Sequence, residues 1–99
     1  MKEITATELK KLIDDKTDFQ LIDVREEHEF DEVNIDGTLI PMGEALDRAS
    51  EISKDKQVVI HCRSGKRSAT VINALEGQGY TNLYNLKGGI LAYIDEVGI

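Results

Sequence analysis

The sequence predicts an α/β fold with a central parallel β-sheet of about four to five strands, flanked by helices on both faces. Three observations predict it. Short apolar runs (FQLIDV, TLIPM, QVVIHC and NLYNL) alternate along the chain with segments of helical periodicity. QVVIHC, Gln57 to Cys62, is an unbroken run centred on the β-branched Val58, Val59 and Ile60, the pattern of a strand buried on both faces. Strands that are separated by helices belong in a parallel sheet with helices covering it on either side.

The elements follow in order. Thr5 and Glu8 stand at capping-box spacing, and Leu9, Leu12 and Ile13 form a helical stripe behind them, so a helix starts at Thr5. Phe19 to Val24 is a short strand. EEHEFDEV, Glu26 to Val33, is an acidic short helix with Phe30 turned inward. Thr38 to Met42 forms a second short strand, with the lone proline, Pro41, inside it. GEALDRASEI, Gly43 to Ile52, reads as a helix. After the QVVIHC strand, Val71, Ile72 and Leu75 repeat at helical spacing, and Gly77 and Gly79 stop that helix. Asn82 to Leu86 is the last strand, and GGILAYIDEV a closing helix.

Ninety-nine residues fit one domain, 1–99, with a single modest core. The net charge of −7 argues against a nucleic-acid partner, because phosphates reward basic surfaces. No apolar run has signal-peptide or membrane-span character, which predicts a soluble, cytoplasmic chain without membrane contact. One cysteine cannot form an internal disulfide, and His28 and His61 are too few and too far apart for a structural zinc site, so no metal or cofactor is expected.

That cysteine raises the sharpest question. Arg63, Lys66 and Arg67 crowd behind Cys62 in an otherwise acidic chain. Cys62 ends the most apolar strand, and ligands of open α/β sheets sit beyond the carboxyl ends of strands. CRSGKRS then leads into a helix starting near Arg67 or Ser68, whose first amides have no internal partners and carry partial positive charge. With Gly65 permitting a tight turn, these amides make an anion-binding concavity with the thiol in its floor.

Magnitudes say what the positive charge is for. A thiol of pKa about 8.5 is roughly 3% thiolate at neutral pH, and a fall of about two units gives roughly 75%. That is ~25-fold more nucleophile, but intrinsic nucleophilicity drops ~8-fold over the same change, which leaves ~3-fold. Holding an anionic substrate and stabilising charge during transfer is worth several kcal/mol and is the better reason for such a loop.

Other phosphate motifs fail. A Walker loop needs glycine at Ile60 and Ser or Thr at Arg67. GQGYTN lacks the third glycine of a dinucleotide fingerprint and follows a helix. Cysteine phosphatases and arsenate reductases stand closer, but they place five residues between Cys and Arg. Here four separate Cys62 from Arg67, and Ser68 occupies the phosphatase arginine position.

Over nearly its whole length the chain resembles the rhodanese family of sulfurtransferases. The carrying segments are LIDVREEHEF, IDGTLIPMGE, VVIHCRSGKRSA, GYTNLYNLKGG and ILAYIDEV. The resemblance implies a rhodanese-like α/β domain with a six-residue active loop, Cys62 to Arg67. Cys62 would take a sulfane sulfur from a donor such as thiosulfate, become a persulfide, and pass the sulfur to cyanide, a thiol or another thiophilic acceptor. Arg63 and Arg67 would bind the anionic end of the donor, and the loop from Ser64 through Gly65 and Lys66 to Ser68 would line the cradle with its amides. Asp23 and Arg25 would support the site by hydrogen bonds and an ion pair. NIDGTLIP and GGILAYIDEV resemble rhodanese domains joined to adenylyltransferases, which implies a ubiquitin-like sulfur-carrier protein as a further possible acceptor. Asn34, Thr38 and Tyr93 depart from common family residues, away from the thiol. A non-catalytic sensing or interaction module is the alternative reading.

Neighbours on a strand point to opposite faces, so His61 is expected to aim away from the thiol and to be structural. The acidic cluster Glu26, Glu27, Glu29, Asp31 and Glu32 reads as a solvated face. Gly88 and Gly89 read as a tight strand-to-helix turn near the pocket mouth.

Overall fold

A computed structural model describes residues 1–99. Its elements are β1 (Lys2–Ile4), α1 (Ala6–Asp14), β2 (Gln20–Asp23), α2 (Glu27–Glu32), β3 (Thr38–Leu39), β4 (Val58–His61), α3 (Lys66–Glu76), β5 (Leu83–Leu86) and α4 (Gly89–Glu96). The five strands form one parallel sheet in the order β1-β5-β4-β2-β3. The predicted fold class is the observed one.

β4 is the central strand, and all four of its residues are buried. The period-two alternation of strand side chains divides the core between the two faces. Val58, Ile60 and Cys62 pack with Ile22 and Leu83 against Val71, Ile72 and Leu75 of α3. Val59 and Leu86 face the other way, against Leu9 of α1 and Ile90 and Tyr93 of α4. α1 begins with the predicted capping box: the Glu8 amide donates to Thr5 Oγ1 at 3.1 Å, and the Thr5 amide donates to Glu8 Oε1 at 2.9 Å.

Two elements differ from the sequence reading. β1 was not visible in it: this edge strand has three residues and one buried side chain, Ile4, too little for a period to show. Gly43 to Ile52 is not an α-helix but contains two 3₁₀ turns, Met42–Glu44 and Ala49–Glu51. Only Ala45 and Ile52 of that segment are buried, while Leu46 is exposed, so no apolar stripe anchors a regular helix. The Tyr80 hydroxyl also reaches the carbonyls of Ala49 (2.8 Å) and Ile52 (3.2 Å), capturing backbone acceptors at the end of the segment.

Candidate active site

β4 ends at His61, and the chain leaves the carboxyl edge of the sheet at Cys62 before returning as α3 at Lys66. The reversal needs a left-handed residue, and Gly65, with φ of 109°, supplies it at the N-cap of α3. The turn brings the Gly65 amide back to the sulfur, where it donates to Cys62 Sγ at 3.1 Å. Ser68 Oγ, from the first turn of α3, lies 3.3 Å from the same sulfur. Burial pushes the Cys62 thiol up, but the Ser68 hydroxyl and the amides of Ser68, Gly65 and Ser64 outweigh it, and the thiol lies below its ordinary value. The residue is 1% exposed and its floor is the apolar α3-side core.

The loop is held from behind by α4. The amides of Ile90 and Leu91 donate to the carbonyls of Cys62 (2.9 Å) and Arg63 (3.2 Å). This approach requires glycine at position 89: φ is 63°, and a Cβ there would overlap the Arg63 carbonyl and the Ser64 amide. The Gly88–Gly89 turn therefore shapes the active loop itself.

The three cations are placed differently from one another. Arg63 and Lys66 are exposed and form no ion pair. Arg67 turns to α2, where its Nη1 and Nη2 donate to Glu29 Oε1 (2.7 Å) and Oε2 (2.9 Å). Glu29 is thus not part of a solvated face: the Arg67 guanidinium, with the Glu26 amide and nearby Arg25, pulls its carboxyl down to about 2 against burial. The other four acidic residues of that cluster, Glu26, Glu27, Asp31 and Glu32, are exposed, as is His28.

Asp23 and Arg25 form the expected ion pair, fully enclosed. Arg25 Nε donates to both carboxylate oxygens (3.0 and 3.1 Å) and Nη2 to Oδ2 (2.7 Å). The remaining donors reach the carbonyls of Val33 (2.7 Å) and Glu29 (3.3 Å), which fasten α2 to the end of β2. His61 stands over this pair, with Nε2 3.6 Å from Asp23 Oδ2 and Nδ1 3.4 Å from the Cys62 carbonyl. Burial pushes its pKa down, so the ring is neutral, and it bonds nothing at the sulfur.

Sequence reasoning missed Asn85, whose Oδ1 accepts from Ser68 Oγ at 2.6 Å, and did not link Glu29 to Arg67. A signal existed for the first. Asparagine is depleted in strands, and one at the buried end of an apolar strand needs a polar partner. A cavity of about 200 Å³ adjoins the loop, lined by Arg25, Glu29, Glu32, Arg63, Leu91 and Ile94 among others. A larger hollow of about 490 Å³, near Ile13, Phe19 and Tyr93, contains no residue of the loop.

Comparison with known proteins agrees with this fold. The family model for the rhodanese-like domain matches residues 5–96. A protein of Allochromatium vinosum named a sulfurtransferase is 40% identical over 94 residues, 94% of this chain and 88% of that one. A probable adenylyltransferase/sulfurtransferase of Mycobacterium tuberculosis, MoeZ, is 35% identical over 95% of this chain, which spans 25% of that protein. The crystal structure of a rhodanese-like domain protein from Staphylococcus aureus superposes with a TM-score of 0.88 at 36% identity, covering 98% of this chain and 95% of that one.

Proposed function

The chain belongs to the rhodanese-like domain family, and on that premise we propose that it moves a sulfane sulfur from a small anionic donor through a persulfide on Cys62. Sulfur transfer in general follows from relatives named sulfurtransferases; the donor, acceptor and residue roles are our reading. The observation that carries it is the sulfur at the focus of the Gly65 amide and the Ser68 hydroxyl, with the Ser64 and Ser68 amides beside it.

In the first half-reaction the Cys62 thiolate attacks the outer sulfur of thiosulfate. A bond forms between Sγ and that sulfur, the donor's S–S bond breaks, and sulfite departs with the electron pair. In the second, the lone pair of cyanide or a thiolate attacks the outer persulfide sulfur and Cys62 leaves as thiolate. The amides of Ser64, Gly65 and Ser68 that face Sγ stabilise negative charge on either sulfur without reorganising. Arg63 and Lys66 attract the anion, and Arg67 meets it when released from Glu29. Asp23 and Arg25 hold the neighbouring strand end in place. With no second cysteine to resolve the persulfide, the acceptor comes from outside the chain. Likeness to an adenylyltransferase/sulfurtransferase supports a sulfur-carrier protein as one such acceptor.

Incubation with thiosulfate, free of reducing agent, is expected to add the mass of one sulfur atom to the intact protein, and Cys62→Ser to prevent it. An unchanged mass for the wild-type chain would remove the persulfide from the reaction. A sulfur-carrier acceptor is checked separately, with a carrier protein whose C-terminal carboxyl is activated as an acyl-adenylate. The outer persulfide sulfur attacks that carbonyl, AMP leaves, and an added thiol reduces the resulting acyl disulfide to carrier thiocarboxylate and free Cys62, read as loss of the added mass.

A further inference from the structure

Ser68 has one hydroxyl proton and two neighbours that can use it. Its Oγ lies 2.6 Å from Asn85 Oδ1 and 3.3 Å from Cys62 Sγ. Which neighbour receives the proton depends on the Asn85 amide, and that amide has a fixed sense. Asn85 Nδ2 donates to the Gly65 carbonyl at 3.1 Å and faces Met1 Sδ at 3.8 Å, both acceptors. Turning the amide over would set Oδ1 against the Gly65 carbonyl, two acceptors in contact with no proton between them, and would take away the Nδ2 bond that Gly65 now accepts. With Oδ1 facing Ser68, the short contact is an O–H···O bond, and the free lone pairs of Oγ point at the sulfur. That arrangement suits a neutral thiol, which donates its S–H to Ser68. It does not suit a thiolate, which needs a donor.

We propose that Asn85 is a positioning residue for Cys62: it competes with the sulfur for the single Ser68 proton, so that the hydroxyl points to Asn85 beside the thiol and swings to Sγ when the sulfur becomes anionic. In that change the S–H proton goes to solvent and the Ser68 O–H bond turns without breaking. Asn85 Oδ1 gives up one hydrogen bond while Sγ gains one. The cost of orphaning Oδ1 holds part of the population as thiol, and its Nδ2 meanwhile anchors Gly65, whose own amide binds Sγ throughout. Asn85 thus acts on the sulfur by two routes, one through the Ser68 hydroxyl and one through the loop backbone. Ser68 and Asn85 are both buried, so water does not supply the missing partner. The purpose of the device rests on the sulfur-transfer reading, but the device itself belongs to the reduced protein.

A double-mutant cycle separates the two routes. The thiolate absorbance of reduced protein is titrated near 240 nm, without any sulfur donor, in wild type, Asn85→Val, Ser68→Ala and the double variant; valine suits a buried strand position. Loss of the Gly65 anchor is common to both backgrounds and cancels in the cycle. The charged groups around the thiol are Arg67 on α3, Arg63 and Lys66 in the loop and neutral His61 on β4, and all are unchanged throughout. With Ser68 present, Asn85→Val is expected to move the thiol pKa lower than it does with Ser68→Ala, by about one unit, or tenfold in the acid constant. Equal shifts in the two backgrounds would overturn the proposal and leave Asn85 only the backbone route. If Asn85→Val does not fold, Asn85→Ala, which likewise leaves Ser68 no acceptor at that position, takes its place in the same cycle, and equal shifts in the two backgrounds again overturn the proposal. Because no donor is present, failure here is distinct from failure of persulfide formation, which the mass measurement reads.

Discussion

Arg25 and Arg67 each grip a carboxylate through two nitrogens beside the same loop, yet the pairs are set in different surroundings. The Arg25 and Asp23 side chains are 3% and 0% exposed, and every remaining donor of Arg25 that finds a partner finds a backbone carbonyl. Those of Arg67 and Glu29 are 31% and 19% exposed, and their bidentate bond is the only one either guanidinium or carboxylate spends across elements. Nothing from solution can displace Asp23. An anion arriving at the rim of the loop can compete with Glu29. The comparison teaches that bidentate geometry alone does not give a pair its role: burial makes the first a part of the frame, and access to water makes the second exchangeable.

The comparison breaks most sharply at Asp23. Asp23→Asn keeps the shape and removes the charge, leaving the Arg25 guanidinium buried and unpaired. Losing one partner of a buried pair costs about 3–5 kcal/mol. That is a large share of the stability of a domain this size, so urea unfolding is expected to show a midpoint far below wild type or no folded baseline at all. A wild-type midpoint would mean that Arg25 finds water and that the pair is not part of the frame.

The contrast between the pairs also marks how far sequence carried. The strand ending in Cys62, the glycine turn and the helix behind it were legible because they are contiguous, and period and turn chemistry act locally. The partners of the loop were not. Arg67 reads as an anion ligand from its place beside the thiol, but Glu29, 38 residues away, holds it. Asn85 meets Ser68 across 17 residues, and only the parallel pairing of β4 with β5 brings them together. Asp23–Arg25 was foreseen through family resemblance, while its enclosure depends on carbonyls at Glu29 and Val33 that no local pattern announces. Gly89 was read as a turn, whereas its close approach to Arg63 is visible only once α4 is docked.

A smaller effect is expected at Arg67. If Arg67 meets the donor as proposed, Arg67→Ala removes a charge-assisted contact and is expected to lower kcat/KM for thiosulfate by about 1.5–3 kcal/mol of binding in the transition state. Unaltered kinetics would confine Arg67 to its bond with Glu29. The converse variant sharpens the point. Glu29→Gln keeps the shape but weakens the hold on Arg67, so the guanidinium is freer to meet the donor. The KM for thiosulfate is expected to fall a few-fold, worth up to about 1 kcal/mol, the scale of a partly exposed ion pair. A raised KM would show that Glu29 orients Arg67 for the donor and does not compete with it.

The finest test is the acid limb of stability. Glu29 is drawn from an ordinary 4.5 to about 2 by Arg67 first, with burial opposing and the Glu26 amide and Arg25 assisting. Its folded-state pKa lies below the unfolded one, so the unfolded chain binds the proton more readily. The stabilisation is therefore complete above about pH 4.5 and disappears as pH falls toward 2. Solvent screening at a pair this open reduces it to about 1 kcal/mol. Other carboxylates titrate over the same range, so the informative quantity is the difference between wild type and Glu29→Gln in urea midpoints measured from pH 6 to pH 2. That difference is expected to shrink as the pH drops and to vanish once Glu29 is protonated. A difference independent of pH would assign the Glu29 contribution to packing and hydrogen bonding, and would make the Arg67 pair as insensitive to its charge as an exposed one in high salt.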